Sequence, residues 1–152
     1  MTNDLIYTTY IRTTPEKLWE AITNPEFTRQ YWGHHNVNIS DWKEGSTWSH
    51  VTLDGENIRV TGTVMESKPP VRLLLTWASP NNPTAESRVS FDISVVDDMV
   101  RLDVAHLNLD DDMAKGVTKG WPLVLSSMKS FLETGQGLNF WAGIKSGCAA
   151  SA

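Results

Sequence analysis

The chain has one cysteine, Cys148, among its 152 residues. A single thiol rules out an internal disulfide framework and a cysteine-based zinc site. No apolar run approaches the ~18 residues of a membrane span. The opening stretch, M-T-N-D-L-I-Y-T-T-Y, has no basic segment followed by an apolar one, so it does not read as a secretory signal. A cytoplasmic protein without membrane contact is expected. Basic charge is also scarce: 13 Lys and Arg against 18 Asp and Glu leave a net charge of −5. That argues against nucleic acid or an anionic membrane as a partner. No glycine-rich phosphate loop occurs.

What is present suits one globular domain with room for a sizeable core: 40% hydrophobic and 20% charged residues. Seven tryptophans are the surplus. The clearest element is G-W-P-L-V-L-S-S-M-K-S-F-L-E-T-G, Gly120 to Gly135. At about 100° per residue, Trp121, Val124, Leu125, Met128, Phe131 and Leu132 share an arc of roughly 120°. Ser126, Ser127, Lys129, Ser130 and Glu133 fall on the opposite side. Pro122 is expected in the first turn and Gly135 at the C-cap.

Upstream the period is different. Leu5 to Arg12 reads as a strand. Thr14-Pro15-Glu16 and Asn24-Pro25-Glu26 each supply a cap, a first-turn proline and an acid at the positive helix end, so two short helices follow. From residue 34 the pattern alternates by two. Val37 and Ile39 are expected inward; Trp48 to Leu53 is a strand closed by Asp54-Gly55; Ile58, Val60, Gly62 and Val64 face one way in the next. Val71, Leu73, Leu75 and Trp77, then Val89, Phe91, Ile93 and Val95, then Val100, Leu102, Val104 and His106 mark three more. Ser79 to Thr84 reads as a loop. One-sided alternation means antiparallel pairing. The expected order is β-α-α-β6-α, an α+β layout with about seven strands. One helix about 10–12 Å wide cannot cover seven strands spaced about 4.8 Å apart. The sheet must curve around it, and that leaves scope for a cavity.

Four stretches resemble a known family: Y-I-R-T-T-P-E-K-L-W-E-A-I-T-N-P-E-F-T-R-Q-Y-W (Tyr10 to Trp32), W-K-E-G-S (Trp42 to Ser46), S-R-V-S-F (Ser87 to Phe91) and the last helix. The chain is similar to the START-like (SRPBCC) superfamily, in the branch of homologues of the activator of a heat-shock chaperone ATPase. The resemblance runs from about Leu5 to Gly135. It implies the helix-grip fold, with a pocket between a curved sheet and the C-terminal helix. It implies no shared catalytic residues. Members bind apolar ligands, cyclise polyketides, or contact a chaperone in the stress response.

The residues read toward such a pocket are Tyr31, Trp32, Trp48, Trp77, Phe91, His106, Trp121, Leu125 and Met128. Aromatics of this kind either fill a core or wall an apolar site. His106 shares a face with Val100, Leu102 and Val104, so it is either a satisfied core histidine or a polar handle for a ligand. His34 and His35, in a strand, would point to opposite faces and so could not chelate one metal, with or without His50. Asp110-Asp111-Asp112 lacks the spacing of a calcium loop and reads as helix-start acids. Arg59, Arg88 and Arg101, with Asp92 and Asp103, read as a solvated outer face. No metal, cofactor or catalytic set is expected. A domain over residues 1–137 and a partly mobile tail over 138–152 are expected, with Leu138, Phe140 and Trp141 free to dock on the body or in a homodimer. Binding of a small apolar or aromatic molecule is the leading function. A cyclase- or hydrolase-like enzyme using the same pocket is the second. A chaperone-ATPase module is the third, weakened because the family's chaperone activators carry an additional domain.

Overall fold

The computed structural model describes residues 2–140. Seven strands form one antiparallel sheet: β1 (Asn3–Ile11), β2 (Val37–Ser40), β3 (Thr47–Val51), β4 (Ile58–Lys68), β5 (Arg72–Ser79), β6 (Asn82–Val96) and β7 (Met99–Leu109). Their order across the sheet is β1-β7-β6-β5-β4-β3-β2. Between β1 and β2 lie α1 (Pro15–Thr23), α2 (Pro25–Tyr31) and a 3-10 turn at Gly33–His35. After β7 comes α3 (Asp111–Thr134). This is the helix-grip arrangement, in the expected β-α-α-β6-α order.

The helix starts are capped as their sequences dictate. Thr14 accepts from Lys17 N, Asn24 from Glu26 N, and Asp110 from Met113 N. Asp111 and Asp112 fill the first turn of α3. Gly135 ends that helix at φ 87°, a conformation few other residues take readily.

The core lies between the sheet and α3. Leu73, Leu75, Trp77, Val89, Phe91, Leu102 and Val104 come from the sheet; Val117, Trp121, Val124, Leu125 and Met128 come from the helix. Ser126 is exposed and Met128 buried, as the helical arc requires.

Six local expectations are corrected. First, α3 begins at Asp111, so Pro122 is inside the helix and not in its first turn. A proline there removes the hydrogen bond to the carbonyl four residues earlier, and the Tyr7 hydroxyl points at that carbonyl, Thr118 O, from 3.5 Å. Second, Ser127 is fully buried. Its hydroxyl donates to Tyr31 O at 2.7 Å and accepts from Leu138 N at 2.8 Å, so a polar residue is at home inside. Third, in β2 Asn38 is buried and Ile39 half exposed, because the Asn38 amide is held by Ile22 O and His50. Fourth, β5 and β6 run on to Ser79 and Asn82, and only Pro80-Asn81 turns the chain. Fifth, His34 and His35 sit in a turn with φ of 57° and 60°, not in a strand. Sixth, Ile58, Val71 and Val95 are exposed, because they lie at strand ends or, for Val71, in the turn before β5, past the packed part of the sheet.

Candidate functional site

The nine residues read toward a pocket come together, and they pack against one another. All nine are buried. Trp77 lies 5.5 Å from Trp48 and 5.7 Å from Trp121, ring centre to ring centre. Phe91 and Trp32 approach Trp121 at 6.1 and 6.2 Å, and Tyr31 is 5.8 Å from Trp32. These spacings are those of direct ring contact. Leu125 and Met128 complete the helix side of the same cluster.

His106 is at the centre, with no exposed surface. Trp121 Nε1–H donates to its Nδ1 at 3.0 Å. The remaining ring proton is therefore on Nε2, which donates to Ser87 Oγ at 2.8 Å. Ser87 in turn donates to Trp77 O at 3.0 Å. The relay uses both imidazole nitrogens within the protein. Burial lowers the His106 pKa to about 3, so the ring is neutral at ordinary pH.

A cavity of about 350 Å³ opens beside this cluster, between the sheet and the first turns of α3. Val60, Trp77, Ala85, Met113, Gly116 and Val117 supply apolar wall. Arg59, Ser79, Asn82, Asp110 and Asp112 supply the polar part. Of the nine residues, Trp77 lines this space, and the other eight stand behind it as packed core. Met113 and Gly116 were not singled out from the sequence, because the helix they belong to starts a full nine residues before Gly120. Asp110 as a cap was the available signal.

Arg59 is not part of a plain solvated face. It lines the cavity, and its Nε is buried without a partner. The others of that set do lie on the outer face: Asp92 pairs with Arg72 at 2.7 Å across β5 and β6, Arg101 with Asp103 at 3.0 Å, and Arg88 is exposed. Among the described residues no three His, Cys, Asp or Glu side chains are placed to hold a metal ion. No helix among them is long and apolar enough to cross a membrane.

A seven-stranded antiparallel sheet closed by a long C-terminal helix, with a cavity at one end of that helix, defines a protein of the helix-grip class. Residues 12–133 match the family described as Activator of Hsp90 ATPase homolog 1-like protein, and the chain belongs to that family. Solved structures share the fold. CalU16 from Micromonospora echinospora superposes with a TM-score of 0.73 at 20% identity, over 90% of this chain and 70% of that one. The Aha1 dimer from Colwellia psychrerythraea gives 0.70 at 24% identity, over 89% and 99%. PFC0360w, an HSP90 activator from Plasmodium falciparum, gives 0.71 at 21%, over 85% and 95%. No curated protein matches the chain.

Proposed function

We propose that the chain binds a small apolar or aromatic molecule in the cavity between β4, β5, β6 and the first turns of α3. One observation carries this reading: a space of about 350 Å³ with an apolar wall and a few polar groups at its side. Small-molecule sites have that build and begin near that size, roughly 300 Å³. The packed aromatic cluster serves as a rigid floor. Trp77 touches the ligand, and Trp121, Phe91 and Trp48 hold Trp77 in place. His106 keeps the floor in register and does not act as the handle, because its relay to Trp121 and Ser87 is complete. The polar handles are instead Ser79, Asn82 and Arg59.

The neutral fluorescent probe N-phenylnaphthylamine tests this. Its emission is expected to rise on binding. Gly116→Phe puts a ring into the cavity from the wall of α3 and replaces a poor helix former by a better one. It is expected to weaken probe binding by about tenfold or more, a loss of about 1.4 kcal/mol or above, with the melting temperature kept. Equal binding by both proteins, or none by the native chain, overturns the reading.

A further inference from the structure

We infer that a second opening, which shares Arg59 with the first, binds a small carboxylate carrying a hydroxyl or ammonium on the adjacent carbon. This goes beyond the apolar cavity and does not depend on it. The opening is about 430 Å³ and is lined by His34, Asn36, Thr52, Leu53, Asp54 and Arg59.

Unmet hydrogen bonding is concentrated here. Among the described residues, buried side-chain atoms without a partner are Thr13 Oγ1, His34 Nε2, Asn36 Oδ1 and Arg59 Nε. The last three belong to residues that line this one opening. They come from two separate segments: the loop between α2 and β2, which holds His34 and Asn36, and β4, which holds Arg59. A buried polar atom left unpaired is costly, so three at one opening mark a place where something else completes them.

The identity of each atom follows from its neighbours. Asn38 Nδ2 donates to Ile22 O at 3.2 Å, so Asn38 Oδ1 faces His50. His50 Nδ1 donates to that oxygen at 2.8 Å. With the ring proton there, Nε2 accepts from Asn36 Nδ2 at 3.4 Å. Asn36 is thus left with its carbonyl oxygen as the unmet acceptor, in a residue that lines the opening and is only 1% exposed. Arg59 Nε is a donor and carries positive charge. The acid nearest in the lining, Asp54, is turned into its own hairpin: it accepts from the Thr52 hydroxyl at 2.6 Å and from Glu56 N at 2.9 Å. Those bonds hold its carboxyl below the usual range. No ion pair forms between Arg59 and any acid among the described residues.

The backbone is arranged for the same place. His34 and His35 take left-handed φ values of 57° and 60°. The turn is held by His35 N to Trp32 O, Asn36 N to Gly33 O, and His35 Nδ1 to Arg29 O at 2.9 Å. Such conformations in residues with side chains persist where the surroundings fix them, often at ligand sites. Here they deliver His34 to the opening.

The complement to these atoms is specific. An unpaired guanidinium takes a carboxylate. The Asn36 oxygen takes an O–H or N–H. A carboxylate with a donor on the adjacent carbon offers both from one small molecule, and His34 Nε2 meets either half according to its tautomer. Hydroxy acids and amino acids share this chemistry.

The chain has four histidines, so the His34 ring signal can be assigned and followed by NMR. Glycolate and glycine represent the two sources; acetate lacks the donor and glycolamide lacks the charge. Glycolate or glycine is expected to shift the His34 signal to saturation, with acetate and glycolamide at least about tenfold weaker. Whichever of the two binds tighter names the source. Arg59→Leu is expected to abolish the shift while the Trp121 indole signal stays in place, and His34→Ala is expected to weaken binding read by calorimetry. Glycolate should not displace N-phenylnaphthylamine, because Arg59 is the one residue the two openings share and the neutral probe offers its guanidinium no carboxylate; failure at one opening is thus separable from failure at the other. No His34 shift with any of the four compounds means that water alone completes these atoms, and the inference falls. Equal binding of acetate and glycolate, or binding that survives Arg59→Leu, also overturns it.

Discussion

Burial sets the His106 pKa near 3 against an ordinary 6.5, and the partners of the ring explain why the protein tolerates it. Ser87, Trp77 and Trp121 surround it, and none carries charge. The folded state therefore binds fewer protons than the unfolded state between those two pH values. Stability is fully present above about pH 6.5 and falls as the pH drops toward 3, by up to about 1.4 kcal/mol for each step of one in pH. The lowered carboxylates, Asp54, Asp103 and Glu133, add their own losses only at the acid end. Denaturation midpoints between pH 6.5 and 5, compared for the native chain and His106→Gln, separate this histidine from the other three. His106→Gln is expected to be less stable at neutral pH, yet flatter across that interval; an unchanged slope would contradict this account. The inward face of His106 was legible from its alternation with Val100, Leu102 and Val104. Its satisfaction was not, because Trp121 and Ser87 are brought to it from other elements.

Elements show the same division between what is local and what is not. The antiparallel strands, the helix starts at Pro15 and Pro25 and the Gly135 stop depend on neighbours in sequence, and the structure has each of them; the start read at Pro122 and the inward Ile39, Ile58, Val71 and Val95 do not hold. The corrections at Asn38 and Ser127 each turn on a partner at a distance that no local pattern encodes, and the one at Arg59 turns on a cavity that α3 helps to wall from far along the chain. Gly62 is a further case. Trp48 faces it across β3 and β4, and the indole reaches over it to donate to Thr76 O at 2.7 Å. A Cβ at position 62 would lie 2.0 Å from that oxygen and 2.5 Å from the indole nitrogen. Gly62→Ala must therefore break the bond or part β4 from β5. A loss of about 3 kcal/mol is expected, from overpacking plus an unpaired buried group. Urea titration checks it, and a change within about ±0.5 kcal/mol would show that the strands give way freely.

At the scale of the whole molecule, the segment after α3 is tied to the body. Leu138 N donates to Ser127 Oγ, which also bonds Tyr31 O, so one hydroxyl joins α2, α3 and the strap behind them. Phe140 rests on the core beside Gly33. Beyond residue 137, Leu138 and Phe140 touch the body in this way; the rest of the expected tail, with Trp141, is outside the described residues. Ser127→Ala is expected to cost about 1–3 kcal/mol, since Leu138 N and Tyr31 O lose their common partner. Faster amide exchange at Leu138, with that at Leu102 unchanged, would mark the loss as local. Fold class was legible because periodicity, hairpin turns and one long amphipathic helix leave few alternatives. The cavity was not, since its position depends on how far α3 extends toward its N-terminus. The strand order has a consequence for the ribosome. Strands β3 to β7 each pair with the strand made just before, but β1 pairs with β7, and Asn3 meets Leu109 across 106 residues. At about 5–20 residues per second, the first strand leaves the exit tunnel on the order of 5–20 s before its partner exists. The exposed side chains Ile6 and Tyr10 alternate there with Leu5, Tyr7 and Ile11. Until translation reaches β7, that segment is the part of the nascent chain in need of a guardian.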